Sequence, residues 1–82
     1  MPDRFLNLSA YAFVALDRLP ERRDALAQSA LAGGLKGTVL LAEEGINLFV
    51  AGAEAGARAW LAALRREPRL AGLEAKIGRA HV

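Results

Sequence analysis

Cysteine is absent from the 82-residue chain, and this absence excludes several kinds of chemistry at once. Without cysteine the chain can form no disulfide framework, no thiolate metal site and no cysteine nucleophile. Histidine is almost absent as well, because the only one is His81, near the end of the sequence, where a side chain is usually just solvated. The sequence therefore predicts no catalytic, cofactor-binding or metal-ligating residue in this chain.

The chain also lacks a long apolar segment and a leader sequence. No apolar run approaches the roughly 18 to 20 residues that a membrane helix needs, and the first four residues lack the basic and apolar order of a signal peptide. We therefore expect a cytoplasmic protein with no membrane partner. The net charge of +2 is small and its basic residues are spread along the sequence, so charge alone does not indicate a nucleic-acid partner.

Apolar residues are abundant, although aromatic ones are scarce. The hydrophobic fraction of 54% excludes a disordered chain, and the aromatic fraction of 6% leaves few large side chains for a core. A chain of this length forms one domain at most and buries only about 60 to 65% of its unfolded surface. We expect a single, marginally stable domain.

The apolar pattern predicts four strands and two helices. Residues 6–14 alternate with a period of two, which is typical of a strand with one buried face. Residues 54–67 place an apolar stripe on one helical face, made of Ala57, Trp60, Leu61 and Leu64. Further strands are predicted over residues 38–42, 46–51 and 73–77, and a first helix over residues 18–32 with a thin stripe of Leu19, Leu26 and Ala30. The order is that of an α+β ferredoxin-like split βαβ fold (β-α-β-β-α-β), with an antiparallel sheet and two helices on one face.

Turn and cap residues predict where these elements end. Asp17 is expected to cap the first helix, and Gly33-Gly34 to end it by allowing a left-handed residue. Gly45 is expected to adopt a positive φ in the tight turn after Glu43-Glu44, and Pro68 to stop the second helix.

Three catalytic or phosphate-binding interpretations are not supported by the residues at the relevant positions. Gly33-Gly34 follows a helix, whereas an anion site needs backbone amides that open into a helix N-terminus. The adjacent carboxylates Glu43 and Glu44 are better explained as a solvated turn than as an acid and base pair. Acylphosphatases need an arginine in a glycine-rich loop and an asparagine on the second strand, but only Arg18 is present and residues 38–41 contain no asparagine.

Four side chains on the two central strands form a candidate interaction face. In the predicted topology Tyr11, Phe13, Asn47 and Phe49 point away from the helices. RNA-recognition motifs share this topology and stack bases on aromatic residues of those strands, although their basic third-strand motif is missing here. Burial against another strand or domain is favoured over base stacking. Trp60, on the helical stripe, is predicted to be a core anchor instead.

Residues 36–52 have a distinctive sequence, which resembles the hairpin of the rhodanese-related tRNA uridine hydroxylases, also called rhodanese-like sulfurtransferases. The similar positions are Lys36-Gly37-Thr38, Ala42, Glu44-Gly45-Ile46-Asn47 and Ala51-Gly52, with residues 6–11, 19–20, 68–70 and 73–76 elsewhere. The resemblance covers roughly residues 5–76. It implies oxygen-dependent hydroxylation of the wobble uridine in a tRNA anticodon, performed by a longer protein whose rhodanese-like domain carries the catalytic cysteine.

The resemblance also implies the role and the partners of this chain. Residues 1–76 would be a non-catalytic, ferredoxin-like N-terminal domain, and its partner would be the missing C-terminal rhodanese-like domain, with tRNA bound through the full-length protein. The signature hairpin, Glu44-Gly45-Ile46-Asn47, would then lie at the contact with the missing domain. The competing hypothesis is a free-standing RNA-binding or small-ligand-sensing module.

The last six residues depart from the family pattern. Residues 77–82 match the translation, in one frame, of a common sequencing adapter. We therefore expect them to be a non-native tail.

Overall fold

In the computed structural model, which describes residues 5–80, a four-stranded antiparallel sheet carries two helices on one face. The elements are β1 (Phe5–Phe13), α1 (Leu19–Ala32), β2 (Lys36–Ala42), β3 (Gly45–Ala53), α2 (Glu54–Leu64), a short 3₁₀ helix (Pro68–Leu70) and β4 (Ala75–Ala80). The strand order is β2-β3-β1-β4, so β1 and β3 are central. The predicted ferredoxin-like α+β fold is confirmed.

The core lies between the sheet and α2. Alternate residues of the central strands turn toward the helices, and the β1–β3 register sets Leu8 opposite Val50 and Ala10 opposite Leu48. The predicted stripe of α2 covers them, with Ala57, Trp60, Leu61 and Leu64 all buried. Within the described residues every buried side chain is apolar, so burial of apolar surface is the main stabilising term.

Helix α1 has no buried residue. Its predicted stripe of Leu19, Leu26 and Ala30 is only half-buried. A polar contact joins it to α2, since Trp60 Nε1 donates to Ser29 Oγ at 3.0 Å.

The start of α1 differs from the prediction. The helix begins at Leu19, and the capping position is taken by Arg18, which is left-handed at φ 52° and ψ 44° and whose side chain accepts no capping hydrogen bond. Asp17 does not cap because its carboxylate accepts hydrogen bonds from Arg22 and Arg69 instead, both at 3.1 Å. The predicted left-handed end is confirmed at Gly34, where φ is 72°.

The end of α2 also differs from the prediction. The helix ends at Leu64 rather than at Glu67, and Pro68 begins the 3₁₀ helix. The reason is local, because the residue before a proline avoids the helical region and Glu67 is extended at φ −68° and ψ 121°. The last strand begins at Ala75, two residues later than predicted, while Leu73 is buried in the core.

Gly45 is required for a different reason from the predicted one. Positive φ values within residues 5–80 occur at Arg18, Gly34 and Gly37, so the prediction for Gly45 is wrong. A Cβ atom at Gly45 would collide with the carbonyl oxygen of Ala12 on the neighbouring strand. The glycine permits a close approach of two backbones rather than a left-handed turn.

Residues 77–80, which belong to the predicted tail, lie in β4 and pair with β1, with Ile77 opposite Leu8. His81 and Val82, the remainder of that tail, lie outside the described residues. Within residues 5–80 no helix has the length and apolar character needed to cross a membrane.

Candidate interaction face

The side of the sheet that faces away from the helices is exposed, and we refer to it as the open face. Its most prominent feature is an aromatic patch, defined here as Tyr11, Phe13, Leu40 and Phe49. The exposed fractions of these side chains are 69%, 84%, 61% and 54%, respectively. Exposure of this degree is unusual for four large apolar residues on neighbouring strands.

The strand register brings the patch together. Tyr11 lies opposite Asn47, which in turn lies opposite Leu40, so these three residues form one row across β1, β3 and β2. Phe49 lies one row further along, opposite Ser9. The rings of Tyr11 and Phe13 meet edge to face, with centroids 5.9 Å apart and planes inclined by 77°.

A hollow of about 250 Å³ opens in this patch next to the β2–β3 turn. Phe13 and Ala42 lie on either side of Gly45, which has no side chain and so leaves the space between them open. Asn47 also lines the hollow, and its side-chain amide makes no hydrogen bond within the described residues. The hollow is therefore mostly apolar, and its polar lining side chains are those of Asn47 and of Glu44 at the turn.

The central strands carry no charge on the open face. Within residues 5–80, the open-face positions of β1 and β3 are aromatic, small or neutral polar residues. The cations of this face, Lys36 and Lys76, lie on the outer strands, and Glu43 and Glu44 form the exposed turn beside the hollow. The patch is thus a neutral surface with charges only at its rim.

The four residues of the predicted interaction face lie together on one side of the sheet, and their role in binding stays a prediction. Tyr11, Phe13, Asn47 and Phe49 all lie on the open face and are exposed, as their alternation predicted. The sequence interpretation missed Leu40, because residues 38–42 are nearly all apolar and hide their alternation. A two-residue turn that pairs Ala42 with Gly45 also pairs Leu40 with Asn47, and this register would have placed Leu40 on the open face.

The signature hairpin divides between the two sides of the sheet. The side chain of Ile46 is buried in the core at 3% exposure, whereas Gly45, Asn47 and the turn residue Glu44 line the hollow. Only part of the signature can therefore contact a partner. Ile46 acts through the core.

A cluster of charged residues lies away from this face, between the β1–α1 loop and the end of α2. The Arg22 guanidinium donates to Asp17 Oδ1 at 3.1 Å and to Glu67 Oε2 at 3.0 Å. The hydrogen bond from Arg22, with the charge of Arg69 next in importance, holds the pKa of Asp17 below its usual value. The same guanidinium lowers the pKa of Glu67, and the two carboxylates raise the pKa of Arg22. The cluster joins the first turn of α1 to the loop before it and to the residues that follow α2, and we refer to it as the charged tether.

The described residues form neither a metal site nor the pair of arginine and asparagine side chains that acylphosphatases need. Within residues 5–80 no three histidine, aspartate or glutamate side chains come together as metal ligands would. The loop before α1 holds one arginine, Arg18, and β2 contains no asparagine. The fold is shared with acylphosphatases, but their catalytic residues are not.

Comparison with known proteins places the chain in a family. Residues 5–81 match the model of the UPF0176 acylphosphatase like domain. The chain is 52% identical over 71 residues to the tRNA uridine(34) hydroxylase of Variovorax paradoxus and 58% identical over 72 residues to that of Bordetella petrii, with 87% of the chain covered in each case. It spans only 27% and 28% of these relatives, about a quarter of their length. The chain therefore belongs to the family of UPF0176 acylphosphatase-like domains, and its predicted resemblance to the tRNA uridine hydroxylases is confirmed.

Proposed function

We propose that this chain serves as the non-catalytic N-terminal domain of a tRNA-modifying protein that hydroxylates uridine 34, the wobble position of the anticodon. One observation carries the proposal, namely the identity of 52% and 58% over 87% of the chain to two proteins named as tRNA uridine(34) hydroxylases. A match of 71 or 72 residues in a chain of 82 necessarily includes both helices and the signature hairpin.

The chemistry would lie outside this domain. An oxygen-dependent hydroxylation that uses a catalytic cysteine cannot be assigned to a chain without cysteine. About three quarters of each relative lies outside the matched segment, which is room for a rhodanese-like catalytic domain. The part played by this domain would be to support that domain and to help position tRNA on it.

A chimera tests the proposal. Residues 5–80 of this chain would replace the matching segment of the Bordetella petrii relative, in a host that lacks its own hydroxylase. Mass spectrometry of digested tRNA would then measure the hydroxylated uridine at position 34. We expect modification to be restored, and lost again when Trp60→Ala removes the largest core side chain. A folded chimera without modification would contradict the proposal.

The isolated chain gives the complementary test. Incubated alone with unmodified tRNA, or with thiosulfate and cyanide, it should give only background product, because it holds no thiolate. Reproducible turnover that disappears on denaturation would show that the domain is catalytic after all.

A free-standing recognition module is the second candidate function. The exposure of Tyr11 and Phe49 on the central strands favours it, since base stacking on such rings contributes about 1 to 3 kcal/mol per base. The neutral central strands weigh against it, because single-stranded RNA sites combine stacking with a cationic groove. Tight binding of single-stranded RNA by the isolated chain at physiological salt, abolished by Phe49→Ala, would favour the module.

A further inference from the structure

We propose that the aromatic patch is a docking surface for the remainder of the full-length protein, and that the hollow beside Gly45 receives an apolar side chain from it. This inference rests on the proposed function, because its partner is the part of the relatives that this chain does not match. It assigns the contact to particular residues of the sheet, namely Tyr11, Phe13, Leu40 and Phe49, with Asn47 as the polar group among them.

The size of the patch points to an occupant that is part of the same protein. From their exposed fractions, the four side chains present an apolar area on the order of 500 Å². Two copies docked through this face would bury about 1,000 Å², below the roughly 1,200 to 2,000 Å² of a stable complex between separate proteins. Interfaces between domains of one chain are commonly about 600 to 1,500 Å². A linked domain needs less area because the linker raises its effective concentration to about the millimolar range.

Charge distinguishes a protein partner from RNA. Phosphate groups are bound by lysine and arginine side chains along the path of the strand. On this face the only cations of the described residues, Lys36 and Lys76, lie on opposite outer strands, with the neutral patch between them. An apolar protein surface fits such a patch, and a polyanion does not.

The hollow specifies how the contact is made. At about 250 Å³ it is smaller than the roughly 300 to 1,000 Å³ typical of small-molecule sites, but it can hold one large side chain. The Asn47 amide at its edge has both a donor and an acceptor available within the described residues. It can therefore bind a backbone group of the segment that carries the inserted side chain.

Hydroxyl-radical footprinting with mass spectrometry tests the proposal. Labelling of Tyr11 and Phe13 would be compared between the isolated 82-residue chain and chimeras in which residues 5–80 replace the matching segments of the Variovorax paradoxus and Bordetella petrii relatives. We expect labelling to fall about tenfold in the chimeras, because a docked surface excludes water. Leu31, which is 77% exposed on α1, is the internal control and should label equally in both settings.

Each other outcome overturns the docking proposal in a recognisable way. Equal labelling in the isolated chain and in both chimeras would show that the face is free in the full-length protein. Protection that appears only when tRNA is added would assign the face to RNA, and protection of the isolated chain that rises with its concentration would assign it to a second copy. Failure of both chimeras to fold would also count against it.

Docking and the proposed function are separable in these chimeras. A chimera that hydroxylates uridine 34 while Tyr11 and Phe13 stay fully labelled would refute the docking surface and leave the proposed function intact. Protection of Tyr11 and Phe13 in a folded but inactive chimera would support the docking surface and contradict the proposed function.

A matched pair of substitutions provides a second readout. Leu40→Ser on the patch and Leu31→Ser on α1 change the same exposed residue type on opposite sides of the domain. Neither should lower the melting temperature of the isolated chain. In the chimeras we expect Leu40→Ser alone to lower it, by about 2 to 4 °C. Equal effects of the two substitutions would contradict the proposal.

Discussion

Helices α1 and α2 cover the same face of the sheet, yet they are attached to it differently. The 11-residue α2 buries four side chains, while the 14-residue α1 buries none. Helix α1 is joined to its surroundings by half-buried contacts and by hydrogen bonds at its rim, such as those from Trp60 to Ser29 and from Arg22 to Glu67. The length of a helix therefore does not indicate how much it contributes to stability.

The sequences of the two helices explain the difference. In α2 the apolar residues recur at spacings of three and four, so they share one face, whereas the inward apolar residues of α1 are only Leu19, Leu26 and Ala30. Hollows of about 420 Å³ and about 150 Å³ remain beside α1. These hollows are open to solvent, so the atoms of α1 that border them have fewer protein packing partners, and α1 should open more readily than α2.

The largest expected effect is on α2. Trp60 is 3% exposed, and Trp60→Ala should cost about 3 to 5 kcal/mol, which approaches the whole stability of so small a domain. We expect the variant to be largely unfolded at 25 °C by circular dichroism. Leu31→Ala, on the outer side of α1, is the control and should change stability by less than about 0.5 kcal/mol. A cooperative melt of Trp60→Ala close to that of the parent would mean that α2 is not the main anchor.

The same substitution on both helices sharpens the comparison. Leu61 on α2 is 4% exposed, and Leu26 on α1 is half-buried. Leu61→Ala should cost about 2 to 5 kcal/mol, and Leu26→Ala about 1 kcal/mol, because less apolar surface is lost. Urea denaturation measures both free energies of unfolding. Equal costs would show that α1 is held as firmly as α2.

The smallest effect concerns the charged tether of α1 and depends on pH. The pKa values of Asp17 and Glu67 lie below their ordinary values of 3.8 and 4.5 in the folded state. Carboxylates with lowered pKa values stabilise the fold above their unfolded pKa values, and this contribution is lost as pH falls through the folded values. The urea midpoint of the parent should exceed that of Arg22→Gln near pH 7, and the difference should shrink below about pH 4.

Arg23→Gln is the matched control for this tether. Arg23 is the neighbour of Arg22 on α1 and makes no ion pair within residues 5–80. Its substitution should leave the pH dependence of the parent unchanged. A difference between the parent and Arg22→Gln that stays constant from about pH 7 to about pH 3 would show that the two carboxylates do not carry the effect.

The sequence predicted the parts of the fold that depend on periodicity. The order of elements, the buried stripe of α2 and the exposure of Tyr11 and Phe49 all follow from spacings of two, three and four. Two of the features that it missed depend on residues distant in sequence. The carboxylate of Asp17 is held by the distant Arg69 as well as by Arg22, and Gly45 is required by Ala12 on another strand. Local propensity could reveal neither contact.

The candidate face was predictable in outline for the same reason. Alternation located Tyr11, Phe13, Asn47 and Phe49, but the apolar β2 gave no alternation to locate Leu40. The hollow depends on register, which sets Phe13 and Ala42 around Gly45. Its position could be derived only once the strand pairs were known.

The hydrogen bond between the two helices makes the fluorescence of Trp60 a probe of the contact between them. Trp60 is the only tryptophan, its ring is buried, and its indole N–H donates to Ser29 on α1. The intrinsic fluorescence of the protein therefore comes largely from the boundary between the firmly and the loosely attached helix. Detachment of α1 alone would let water reach the indole N–H and shift its emission to longer wavelength while the sheet and α2 remain folded. Partial opening could thus be distinguished from global unfolding without any added label.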